Sequence, residues 1–137
     1  MHYNVQGGLH SKIPELIIFL EQCKVKVICL NEHWLKESQT SILNTIPDFS
    51  LASVFCREQH LRGGSCILVR SSLLFIERHD LLVHNEEMIF ELSCVEIPEL
   101  NAIIISIYRN PNDQNIKVFL HRLESLFSLL ERRVLVR

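Results

Sequence analysis

No run of apolar residues in this sequence approaches the ~20 that cross a bilayer as a helix. The longest, such as Ala102 to Tyr108, are far shorter, so a transmembrane helix is excluded. Charge of one sign is not in excess either. Sixteen acidic against 14 basic side chains leave a formal net charge of -2, which gives no global positive field to hold a polyanion without specific local contacts. The opening Met-His-Tyr-Asn-Val-Gln-Gly-Gly has neither a basic region nor an apolar one, so no secretory leader and an intracellular, reducing setting are expected. Five cysteines (Cys23, Cys29, Cys56, Cys66, Cys94) are an odd count without short spacing, which fits neither a disulfide framework nor a thiolate zinc site. Most of them sit among apolar neighbours and read as small buried hydrophobes. Among the seven histidines no pair at i, i+4 flanks a glutamate, which excludes a His-Glu-x-x-His metalloprotease. Walker and dinucleotide glycine fingerprints, repeats, low-complexity tracts and Pro/Gly/Ser-rich linkers are also missing, leaving one continuous domain or a piece of one.

With 47% hydrophobic and 22% charged residues, the chain has the make-up of an ordinary globular protein. Tyr3 to Gln6 reads as a short strand closed by Gly7-Gly8. Ser11 is then expected to cap a helix running to about Cys23, with Pro14 tolerated in its first turn. Ile13, Leu16, Ile17, Leu20 and Cys23 recur at three and four and paint one helix face. Val25 to Leu30 is a near-continuous apolar run rich in β-branched residues, the pattern of a strand covered on both sides. This is a β-α-β opening, which returns a parallel strand and places the loops after both strands at one sheet edge.

The middle changes character. Phe49 to Cys56, Ser65 to Arg70, Leu73 to Ile76, Met88 to Ile97 and Ala102 to Tyr108 read as strands, the last two joined by Pro98-Glu99-Leu100-Asn101 as a hairpin. Glu91, Ser93 and Glu96 mark the less buried side. From Ile116 to about Glu131, Val118, Phe119, Leu123, Leu126, Phe127 and Leu130 return to helical spacing. Val134 to Arg137 then resembles the start of another buried strand, so truncation is expected. The fold class this predicts is α/β: a partial four-layer sandwich in which two helices cover one mixed sheet while the second sheet is missing.

Three places suit chemistry. Glu32, in Asn31-Glu32-His33-Trp34, directly follows the buried strand, at the carboxyl end where open α/β sheets gather ligands. A carboxylate there suits Mg²⁺, a hard ion that takes oxygen ligands, although a solvated loop glutamate reads the same. Asn4 ends the first strand and is either a neutral ligand or phosphate donor beside that carboxylate, or a turn asparagine. Tyr108 and Arg109, before Asn110-Pro111-Asn112, follow another buried strand. They either face the same rim or close the core ahead of a plain Asn-Pro turn.

Taken together, Tyr3-Asn4-Val5-Gln6-Gly7, Leu30-Asn31-Glu32-His33-Trp34-Leu35, Arg62-Gly63-Gly64-Ser65-Cys66-Ile67 and Ile107-Tyr108-Arg109-Asn110-Pro111-Asn112 resemble the endonuclease/exonuclease/phosphatase superfamily. Within it they are nearest to the endonuclease domain of non-LTR retrotransposons, which precedes the reverse transcriptase. The resemblance runs over essentially the whole chain, residues 1–137. It implies that Asn4 is the active-site asparagine, Glu32 the metal-binding glutamate and Tyr108 the active-site tyrosine near the scissile phosphate, with Gly63-Gly64 the turn entering a central strand. The implied chemistry is Mg²⁺-assisted hydrolysis of a phosphodiester (Mn²⁺ as a substitute), used to nick genomic DNA and prime reverse transcription. A nuclear setting follows from the same resemblance.

The family's Gly-Asp-Phe-Asn and Ser-Asp-His motifs do not occur in this sequence. They supply the water-orienting and base groups of that chemistry. The expectation is therefore an amino-terminal half that binds metal poorly and cuts little. His33 is expected to be a satisfied or exposed histidine rather than a replacement base. Expected partners are DNA through local contacts, no membrane, and either the missing carboxy-terminal half or a second copy on the uncovered sheet face. The competing readings are a non-catalytic interaction module derived from the same domain and the superfamily's phosphatase or repair-nuclease branch. The arginines at 57, 62, 70, 78, 109, 132, 133 and 137 form either a basic patch or an ordinary solvated face.

Overall fold

Alternate residues along each central strand enter two different cores, and that alternation builds the molecule. The structure, a computed structural model, describes residues 1–111 and 113–134. Its strands are β1 (His2–Asn4), β2 (Val27–Asn31), β3 (Phe49–Phe55), β4 (Ser65–Arg70), β5 (Ile76–Glu77), β6 (Glu91–Ile97) and β7 (Ala102–Tyr108). Its helices are α1 (Leu9–Gln22), α2 (His79–Leu82) and α3 (Ile116–Val134), with a long 3-10 segment at Glu37–Thr45. The strands form two sheets, ordered β1-β2-β4-β3 and β5-β6-β7. β1 and β2 run parallel, as the β-α-β opening predicts; every other pairing is antiparallel.

From β4, Cys66 and Leu68 pack with Ile28 and Leu30 against Leu9, Ile13 and Leu20 of α1. The alternate residues Ile67 and Val69 turn the other way and meet Val95 and Ile97 of β6 between the sheets. On the far side, Leu92 and Cys94 of β6 pack with Ile103, Ile105 and Ile107 of β7 against Phe119, Leu123 and Leu126 of α3. The layers are thus helix, sheet, sheet, helix. Each fully buried aliphatic side chain in this arrangement contributes about 1.5–3 kcal/mol of transfer free energy.

This overturns the expectation of a single sheet lacking its partner. Both sheets are present, and the face expected to lie uncovered is the contact between them, so it offers no vacant surface for a second copy. The error has a physical origin. A strand apolar on both faces shows that each face is covered but not by what, and the strands before and after the loop of residues 71–75 read as one set when they belong to two sheets.

Local details shift as well. Ser11 does not cap α1; its hydroxyl donates to the Gly8 carbonyl at 2.8 Å, inside a helix that begins at Leu9 after a left-handed Gly8. Pro14 therefore lies in the helix body, where it removes one intrahelical hydrogen bond. Of Leu73 to Ile76 only Ile76 is strand, opening the two-residue β5, and Met88 to Ile97 begins only at Glu91. Glu91 and Ser93 are fully buried between the sheets rather than marking an exposed side. Val134 ends α3 instead of opening a strand; the rest of that expected strand lies outside the described residues.

Candidate functional site

Because β1 and β2 are parallel, Asn4 and Asn31 stand side by side at the same sheet edge. β4 runs against β2, so its first residue, Ser65, pairs with Asn31 there. In the second sheet the last residue of β7, Tyr108, pairs with the first of β6, Glu91. Strand parity points Ser106 and Tyr108 toward the first sheet, opposite to Ile105 and Ile107. One rim thus collects Asn4, Asn31, Glu32, Ser65, Glu91 and Tyr108.

The three residues singled out from the sequence converge on this rim. Asn4 Nδ2 donates to Glu32 Oε1 at 3.0 Å, while Asn4 Oδ1 accepts the Gln6 N–H at 3.3 Å. This second bond fixes the amide so that its NH₂ faces the carboxylate. Tyr108 stands close enough to Glu32 for the carboxylate to act on its phenol. Burial pushes the phenol up to about 12, helped by the negative charge of Glu32 and opposed by the Arg57 guanidinium. At neutral pH Tyr108 is therefore a protonated donor, and Asn4 supplies a second one.

The backbone around Glu32 is bent to present it. Glu32 has φ 56° and Trp34 has φ 59°, left-handed conformations that cost a non-glycine residue about 1–3 kcal/mol. They are held from both sides. Gly7 N–H donates to the Glu32 carbonyl at 2.9 Å, Glu32 N–H to Gly64 O at 2.9 Å, and Trp34 N–H to Gly63 O at 3.0 Å. The Gly63-Gly64 turn can come this close only without side chains. A Cβ on Gly63 would lie 2.2 Å from Arg57 Nε, and one on Gly64 2.4 Å from His33 Cε1.

His33 is a satisfied core histidine, as expected. Its Nδ1 accepts the Leu35 N–H at 3.0 Å, which leaves Nε2 as the N–H that donates to Phe55 O at 3.0 Å. Burial lowers its pKa, so it is neutral, with both nitrogens engaged.

Sequence reasoning missed the support behind these residues. Arg57 and Glu91 form an ion pair at 2.5 Å with side chains 5% and 0% exposed. Glu91 also accepts Gly64 N–H at 2.7 Å and Met88 N–H at 3.1 Å, and the Arg57 guanidinium lies 5.9 Å from the Tyr108 ring centre. A second set of polar groups bridges the sheets: Ser106 Oγ donates to Asn31 Oδ1, Asn31 Nδ2 to Ile107 O, Ser93 Oγ to Ser65 O and Ser65 Oγ to Ser106 O. The available signal was parity. Glu91, Ser93, Val95 and Ile97 share one strand face, so the apolar end of that face implied burial of the polar end.

Of the arginines expected to form either a patch or a solvated face, Arg57 and Arg78 are buried in ion pairs, and Arg70 lies over Phe49. The five cysteines are free, with Cys66 and Cys94 fully buried. Among the described residues no group of three His, Cys, Asp or Glu side chains is placed to hold a metal ion, and no helix is long and apolar enough to cross a membrane. Glu91 is committed to Arg57 and two backbone N–H groups, which leaves Glu32 as the open carboxylate among the residues of this rim. It fits Mg²⁺ in the mode where one protein carboxylate acts with a substrate phosphate, not a cage built by protein alone.

No family model matches this sequence. The chain is 27% identical over 124 residues, 90% of its length, to the RNA-directed DNA polymerase from mobile element jockey of Drosophila funebris. It spans 13% of that protein's length, so the similarity relates it to one segment of a reverse-transcriptase-linked retrotransposon protein.

Proposed function

We propose that this chain is the amino-terminal part of an endonuclease domain of the endonuclease/exonuclease/phosphatase type, derived from a non-LTR retroelement and acting on DNA in the nucleus. The observation that carries the reading is the Glu32 carboxylate, held by Asn4 with the Tyr108 phenol brought beside it from the other sheet. In this role Glu32 holds Mg²⁺ together with a phosphate of the substrate. The bound ion supplies Lewis-acid stabilisation of charge on the phosphate and the leaving oxygen. Asn4 keeps the carboxylate aimed, and the Tyr108 phenol donates a hydrogen bond toward the phosphate.

The groups that orient and deprotonate water in this chemistry belong to Gly-Asp-Phe-Asn and Ser-Asp-His, which these 137 residues do not contain. On this reading the chain alone binds metal weakly and does not cut.

The test uses Mn²⁺ as a paramagnetic stand-in, with water-proton relaxation read with and without a short DNA strand. The expected result is Mn²⁺ held only when DNA is present, and lost in Glu32→Ala. Tight Mn²⁺ binding without DNA, or DNA-dependent binding that survives Glu32→Ala, overturns the assignment.

A further inference from the structure

We propose that Trp34 and Arg62 form a stacking platform for an unpaired nucleobase of the DNA strand whose phosphate lies at Glu32. The proposal rests on the endonuclease reading for its ligand class, but on separate residues.

Trp34 is the sole tryptophan of the chain, and it is 38% exposed. It belongs to none of the three apolar clusters that hold the layers together. The core therefore does not explain why the largest apolar side chain stands two residues from Glu32. Its ring lies against the backbone of the β1–α1 loop so closely that a Cβ on Gly7 would fall 2.1 Å from Trp34 Cε3. The Arg62 guanidinium carbon sits 5.1 Å from the ring centre. Arg62 is itself exposed, and no ion pair among the described residues engages it. Both residues adopt left-handed backbone, at φ 59° and 68°, which is tolerated only where the surroundings enforce it.

The surroundings do enforce it. Lys36 Nζ donates to the carbonyls of Arg57, Glu58 and His60 at 2.8, 3.0 and 2.9 Å. The Glu87 carboxylate accepts the N–H groups of Glu58, Gln59 and His60. Residues 57–60, which lead to Arg62, are thus tied in place before any ligand arrives. A preformed surface loses little entropy on binding.

An exposed indole beside an unpaired guanidinium is a combination that stacks bases, through the π-face and the cation together. Inside a duplex both faces of a base are already stacked, so the platform suits a base that is single-stranded or locally unstacked. Every base has a π-face, so the contact tolerates sequence.

The single tryptophan is its own reporter. Trp34 fluorescence is followed while the wild-type chain is titrated with a short single-stranded DNA, the same strand carrying abasic sugars, and inorganic phosphate. Quenching by the base-bearing strand alone is the expected result. Affinity, read from anisotropy of an end-labelled strand, should fall roughly fivefold to a hundredfold in Trp34→Leu, with a smaller loss in Arg62→Ala, a surface change that leaves the fold intact. Equal quenching by the abasic strand, or unaltered affinity in both variants, overturns the platform. The two readings fail separately. If Glu32 is misassigned, DNA-dependent Mn²⁺ binding disregards Glu32→Ala while base-specific quenching persists; if the platform is wrong, the Mn²⁺ result stands and the quenching is absent.

Discussion

The Ser106 hydroxyl donates to Asn31 Oδ1 at 3.0 Å across the gap between the two sheets. Asn31 Nδ2 returns a bond to the Ile107 carbonyl at 3.1 Å, so one side chain sets the end of β7, and with it Tyr108, against the end of β2, and with it Glu32. Asn31→Ala leaves a buried donor and a buried acceptor unpaired and should cost about 1–3 kcal/mol in urea unfolding. Asn31→Asp keeps the acceptor but sets a buried charge against the Ile107 carbonyl, and should cost more at neutral pH. If Asn31→Asp is the milder change, this bridge does not register the sheets.

The Arg57–Glu91 pair should show the asymmetry of buried charges. Arg57→Met strands a buried carboxylate and should lower stability by about 3–5 kcal/mol. Adding Glu91→Leu removes the stranded charge and should recover part of that loss, though not all, because the Gly64 and Met88 N–H groups then lose their acceptor. A double mutant less stable than Arg57→Met would show that the charge itself is not what the single substitution exposes.

Glu32 is expected to trade stability for placement. Glu32→Gly relieves the left-handed backbone that Glu32→Ala retains, so by thermal unfolding the glycine variant should be the more stable of the two by about 1 kcal/mol. Both should lose DNA-dependent Mn²⁺ binding. Retention of that binding in either variant would move the metal site elsewhere.

Nicking of supercoiled plasmid should be absent for the 137-residue chain in Mg²⁺. It should appear when the chain is joined to a carboxy-terminal half carrying the two absent motifs, and vanish again with Glu32→Ala. Tyr108→Phe should reduce the rate less, by the loss of one hydrogen bond, about 1–3 kcal/mol. Nicking by the isolated chain would refute the need for those motifs.

Two groups give the stability a defined pH dependence. Burial holds the His33 pKa below its ordinary 6.5, so the unfolded chain takes up protons first and stability falls as pH drops below about 6.5. For Glu87 burial acts upward, but bonds from His60 and from the N–H groups of Glu58, Gln59 and His60 outweigh it and hold the carboxyl down at about 2. Its contribution is complete above the ordinary 4.5 and is lost as pH falls from there toward 2. Urea midpoints across these windows should decline in both, and Glu87→Gln should flatten the lower one. An unchanged slope in that variant would assign the acid loss to other carboxyls.

Much of this was legible along the chain. The near-continuous apolar run from Ala102 to Tyr108 and the helical stripe through Phe119, Leu123 and Leu126 reflect local backbone geometry acting on hydrophobicity, which a linear pattern records. Glu32 and Asn4 could be placed at one edge because a β-α-β unit returns a parallel strand, so both strands end at the same edge. The number of sheets was not legible, because Ile67 and Leu68 are equally apolar although one faces a sheet and the other a helix.

By itself the sequence determined the apolar stripes that become core, the long helices and most of the strands, and that Asn4 and Glu32 share a rim. Only the tertiary structure decided that Tyr108 comes beside Glu32, that Glu91 is buried with Arg57, that His33 is spent on backbone partners, and that Trp34 packs on Gly7 beside Arg62. The reason is range. Hydrophobic period and turn chemistry act over a few residues, whereas each of these outcomes depends on the pairing of groups distant in the chain, and the strength of a charge or hydrogen bond is set by what excludes water from it.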